Sequence, residues 1–110
     1  MIASPSEETV LEIGALEHGR GLALAGTLDL STEAEAREAM EPIVVPGAHM
    51  TLDLSRLEFM DSTGLNLMVG ALRTIGREGH LTLRLSEGIT ERVVGVSGLA
   101  DRPNVTIHPA

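Results

Sequence analysis

The chain of 110 residues has no cysteine, tryptophan, tyrosine or lysine. Each absence excludes a class of chemistry. Without cysteine there is no disulfide, no thiolate metal site and no cysteine nucleophile. Without lysine there is no Schiff-base catalysis and no phosphate-binding P-loop. Phe59 is the sole aromatic residue, so any core must be aliphatic. No apolar run approaches the roughly 20 residues needed to span a bilayer. The first residues, MIASPSEETV, lack the basic and apolar regions of a signal peptide, so a cytoplasmic home is the simplest reading.

Hydrophobic residues make up 43% of the chain, and the length fits one domain with one core. Net charge is −8, from sixteen Asp and Glu against eight Arg. Binding a nucleic-acid backbone or an anionic membrane needs a basic patch, and none is visible in the sequence. An acidic surface suits solubility and a partly basic protein partner.

Residues 1–8 read as a loose tail, and 9–110 as the domain. Thr9 to Leu16 and Gly21 to Leu28 are apolar-rich runs separated by Glu17-His18-Gly19-Arg20, which predicts a β-hairpin. Ser31 to Glu41 is rich in Ala and Glu and predicts a helix, with Thr32 and Glu35 spaced as a capping box. Pro42 and Pro46 block its continuation. Met50, Leu52 and Leu54 alternate with Thr51 and Asp53, the period of a strand, and a short loop follows. From Ser62 the period changes. Leu65, Met68, Val69, Leu72 and Ile75 fall on one face of a helix that Gly76 or Gly79 would end. His80 to Leu85 predicts a strand, Ile89 to Val96 a weaker helix, and Asn104 to His108 a last strand. The expected order is β-β-α-β-α-β-α-β: a mixed α/β sheet of four to five strands, mainly parallel, with three to four helices and an antiparallel edge.

The most informative stretch is Met50 to Met68. It ends a strand and opens a helix at Asp61-Ser62-Thr63-Gly64. A helix start has backbone N–H groups without intrahelical partners and tolerates negative charge. Ser62 therefore sits where a phosphate is electrostatically acceptable. The plainer alternative is that Asp61 or Ser62 simply caps the helix. Gly64 costs helix propensity in the first turn, which is easier to justify if another molecule approaches the backbone there. Asp29 ends a strand at the same predicted sheet edge. Paired with Asp61 it could do acid–base work on a small molecule, or be a turn residue beside a cap. Asp53 inside an apolar strand needs partners that the sequence does not name. His18, His49, His80 and His108 lack metal-ligand spacing and read as surface residues near strand ends. Ser62 has no G-x-S-x-G elbow and the glycines form no dinucleotide fingerprint, so no catalytic, metal or cofactor site is expected.

Asp53-Leu54-Ser55 followed by Phe59-Met60-Asp61-Ser62-Thr63-Gly64-Leu65 resembles the signature of the STAS family. Within it, the chain looks most like the anti-sigma-factor antagonists of bacterial partner-switching systems. Gly26-Thr27-Leu28-Asp29 resembles the family's G-x-L-D element, and Ser97-Gly98-Leu99 its last helix end. The resemblance spans roughly residues 9 to 108. It implies that Ser62, or as second choice Thr63 (where many members carry another serine), is phosphorylated by a GHKL-type serine kinase that is also the anti-sigma factor. A PP2C-type phosphatase would reverse the modification, and the output would be transcription. The exposed side of the second helix, with Thr63, Asn66, Gly70 and Arg73, would meet the partner beside Asp29, Ser31 and Asp61. The runner-up is a single-domain STAS subunit of a lipid or anion transport complex.

Overall fold

The computed structural model describes residues 11–17, 20–92 and 98–109. The expected tail, His18 and the second half of the expected last helix lie outside them. Five strands form one sheet in the order β1-β2-β3-β4-β5: β1 Leu11–Ala15, β2 Arg20–Leu28, β3 His49–Met60, β4 His80–Leu85 and β5 Val105–Pro109. β1 pairs antiparallel with β2, and every later pair is parallel. Helices α1 Glu33–Met40, α2 Ser62–Ile75 and α3 Glu87–Arg92 fill the crossovers, and a 3-10 turn at Leu99–Asp101 leads to β5. This is the mixed sheet that the periodicities predict, with the antiparallel edge where the hairpin places it.

The three parallel steps all run in one direction across the sheet. Because such crossovers are right-handed, the helices gather on one face. The core is therefore one-sided. Leu22, Leu52 and Leu83 lie in register on the covered face and are buried, as are Met50 and Leu81 one step along. The alternate residues Thr51, Asp53 and Thr82 are half-buried on the open face.

β3 is longer than expected. No loop follows Leu54; the strand continues to Met60. Two bulges make this possible. Ala23 and Ala25 pair with Asp53 and Arg56, and Gly26 and Thr27 with Leu57 and Phe59, so β3 twice carries one extra residue. Each bulge resets the inward phase, and the buried positions run Leu54, Leu57, Met60 at intervals of three instead of two. Strict alternation, the signal read from the sequence, fails there for that reason. Asp53 holds the first bulge: its Oδ1 accepts the Ser55 N–H at 3.1 Å and the Ser55 hydroxyl at 2.6 Å.

The predicted capping box at Thr32 does not form. Thr32 precedes α1 but makes no side-chain cap bond. Its hydroxyl instead accepts the Asp29 N–H at 3.1 Å and donates to the Thr27 carbonyl at 2.9 Å, locking the β2–α1 loop. Glu33 pairs with Arg37 one turn on.

Candidate functional site

Parallel strands place their C-terminal ends at one edge, and register puts Leu28 of β2 beside Met60 of β3. The Asp61 N–H donates to the Leu28 carbonyl at 3.3 Å, which ties the start of α2 to the end of β2. Asp29, Ser31, Asp61, Ser62 and Thr63 are thereby brought to one edge.

Asp61 is the N-cap of α2, and its Oδ1 accepts the Thr63 N–H at 2.8 Å. Ser62 is the first helical residue, exposed, and among the described residues its hydroxyl has no hydrogen-bond partner. The division of labour left open by the sequence is settled: Asp61 caps and Ser62 presents its oxygen to solvent. Thr63 is half-buried.

Across the gap, Asp29 Oδ1 accepts the Ser31 hydroxyl at 2.6 Å and the Ser31 N–H at 2.9 Å. The Ser31 hydroxyl is the main cause that holds the Asp29 carboxyl below its ordinary value. Such a group is a poor base at neutral pH. Asp29 forms a turn and Asp61 a cap, each accepting a local N–H group.

Gly64 has a packing cause. A Cβ there would lie 2.4 Å from Met60 Cγ and 3.0 Å from Leu28 Cδ2, so the helix start sits tightly on the ends of β2 and β3. The expectation that Gly64 serves the approach of an external molecule is corrected. The buried face of α2 consequently runs Gly64, Met68, Ala71, Leu72 and Ile75, with Leu65 and Val69 only partly covered.

Ser62, Asn66, Gly70 and Arg73 are exposed along the other side. Asn66 and Gly70 also line a groove of ≈ 420 Å³ between α1 and α2, with Glu33 and Arg37 opposite. Arg73 lies eleven residues beyond Ser62, about 16 Å along the axis, and the fold does not bring it to the edge.

Sequence reasoning missed Leu30, which is 78% exposed between Asp29 and Ser31, and placed no weight on Phe59, 44% exposed before Asp61. Both are large apolar side chains exposed near the ends of β2 and β3. The available signal was an apolar residue inside a polar turn, Asp29-Leu30-Ser31. Among the histidines, His49 and His108 are exposed, whereas His80 is half-buried and shares a hydrogen bond of 2.7 Å between Nε2 and Thr106 Oγ1.

The profile of the family described as "Mlab, STAS domain" matches residues 12–107. The anti-sigma-B factor antagonist of Bacillus subtilis is 32% identical over 81 residues, covering 71% of this chain and 72% of its own. That of Listeria monocytogenes is 34% identical over 80 residues, covering 71% and 70%. The crystal structure of an anti-sigma factor antagonist from Mycobacterium paratuberculosis superposes with a TM-score of 0.76 at 22% identity, over 96% of this chain and 90% of that one. Unphosphorylated SpoIIAA, an anti-sigma factor antagonist, gives 0.65 at 18% identity, over 92% and 89%. With a sheet of the same kind and a signature that falls on the bulge of β3 and the start of α2, this chain belongs to the STAS domain family.

Proposed function

We propose that the protein is an anti-sigma-factor antagonist whose binding is switched at Ser62. The observation that carries this reading is the exposed, unbonded hydroxyl of Ser62 on the first residue of α2, beside a cap that another residue already provides. Relatives that are 32% and 34% identical carry the name of that function. In this reading the unphosphorylated chain binds an anti-sigma factor, which is a GHKL-type serine kinase, and releases the sigma factor. The kinase phosphorylates Ser62, and a PP2C-type phosphatase restores it. The protein acts as a binding module and performs no catalysis of its own.

The contact centres on Ser62, with Leu30 and Phe59 as apolar anchors, Asp29, Ser31, Asp61 and Thr63 around them, and Asn66 and Gly70 along α2. Arg73 joins only a partner broad enough to cover the whole helix. A phosphate carries about −1.5 to −2 charge. Placed without a partner in a desolvated interface, that charge costs several kcal/mol.

The test is titration calorimetry against the kinase, with phosphopeptide mapping. Ser62→Ala binds within a few-fold of wild type, and Ser62→Asp binds at least about tenfold more weakly, equivalent to about 1.4 kcal/mol. Mapping places the phosphate on Ser62. Equal affinity for Ser62→Asp and wild type removes the phosphoswitch and favours the transport-subunit reading.

A further inference from the structure

The N-terminal ends of the parallel strands form the opposite edge of the sheet, and a broad depression lies there. It measures ≈ 830 Å³, within the range of small-molecule sites. Arg73 comes from the last turn of α2, Arg77 from the turn that follows, and Arg102 from the segment before β5. His49 and His80 contribute from the starts of β3 and β4, their rings 6.1 Å apart. Three of the eight arginines of a chain with net charge −8 thus converge on one concavity. All three are exposed, and among the described residues none has an acidic partner within ion-pair distance.

A plainer cause exists for part of this. Basic residues near a helix C-terminus complement its partial negative charge. That accounts for Arg73 and Arg77 but not for Arg102, which another element delivers. The charges also do not balance. Glu78 is the sole acid of the lining, and a helix end contributes about −0.5, so three guanidinium groups leave about +1.5. Two carbonyls at that helix end, which would otherwise repel an anion, already accept hydrogen bonds. Ile75 O accepts the Gly47 N–H at 2.8 Å, and Gly76 O accepts Asn104 Nδ2 at 3.0 Å.

We propose that this depression binds a compact polyanion, an oligophosphate or a small molecule bearing more than one phosphate, at the edge of the sheet opposite Ser62. Guanidinium forks match phosphate oxygens in pairs, and several forks on one concavity suit several phosphate groups. Phe59 lies at the other end of β3, so the rings at hand are the two imidazoles, and the three guanidinium forks make phosphate the group recognised. A small ion feels mostly the local cations, since charges beyond about 8 Å are screened at physiological salt. A long acidic chain would extend over the surrounding acidic surface and be repelled.

The test is titration calorimetry of the full chain with inorganic tripolyphosphate at about 150 mM salt. One-to-one binding is expected. Arg77→Ala/Arg102→Ala weakens it at least about tenfold, while Arg56→Ala/Arg84→Ala, matched in net charge but placed elsewhere, changes it less than about threefold. Circular dichroism melting of both variants checks that each is folded. Absence of binding at millimolar tripolyphosphate overturns the proposal, as does equal weakening in the two variants. Tighter binding of hexaglutamate than of tripolyphosphate overturns the assignment to a compact ion.

Discussion

The side-chain cap of α2 is a single oxygen of Asp61, and the Ser62 hydroxyl takes no part in it. Asp61→Ala removes the bond to the Thr63 N–H and should cost about 1 kcal/mol. For a domain of this size that lowers the melting temperature by about 4–8 °C, measurable by circular dichroism. Asp61→Asn keeps an acceptor and should cost less. Asp53 answers to pH. Burial raises its pKa, but the hydrogen bonds from Ser55 and the nearby Arg84 and Arg56 outweigh this, and the net direction is down from 3.8. A carboxyl with a depressed folded pKa stabilises the fold above its unfolded pKa and loses that contribution as pH falls through the folded value. Its share is thus complete at neutral pH and falls progressively below about pH 4. Asp53→Asn should be less stable than wild type at pH 7, and the difference should shrink as thermal melts are repeated towards pH 3. An unchanged difference at pH 3 would sink this account.

Helix α2 contains two glycines with opposite causes. Gly64 is buried against Met60 and Leu28, so Gly64→Ala must displace the Met60 side chain and should destabilise by about 1–3 kcal/mol. Gly70 is exposed, and a Cβ there would meet nothing within 4 Å. Gly70→Ala should raise stability by about 0.5–1 kcal/mol through helix propensity alone. If a partner lies along this side of α2, the same change weakens its binding, and urea titration and calorimetry read the two effects separately. The order of elements was legible because each periodicity is local: 3.6 in α2, two in β4. The bulges of β3 were not, because an extra residue is defined only against its partner strand. The depth of Gly64 was hidden for the same reason, since the atoms that exclude a side chain come from β2 and β3. Of the edge around Ser62, the polar residues were readable from the chain; the exposure of Leu30 and Phe59 was not, because exposure is a property of the folded state, and the apolar residue inside Asp29-Leu30-Ser31 was its one local hint.

Across the molecule, the one-sided arrangement leaves the two edges of the sheet independent. The helices, the aliphatic core and the crossovers lie between them, and a charge added at Ser62 meets solvent and helix N–H groups. Phosphorylation should therefore alter the partner surface and not the packing. The phosphorylated chain should melt within about 5 °C of the unmodified one, roughly 1 kcal/mol. A larger fall would mean that the start of α2 unwinds and that the switch acts through folding.

The position of Phe59 has an optical consequence. With no tryptophan or tyrosine anywhere in the chain, the protein is dark to excitation near 295 nm, and this weakly absorbing ring, partly exposed near Asp61, is its sole Phe, Tyr or Trp side chain. Phe59→Trp would place one fluorophore at the proposed docking edge against an empty background. Its emission would follow arrival and departure of a tryptophan-free partner in real time, with no label attached.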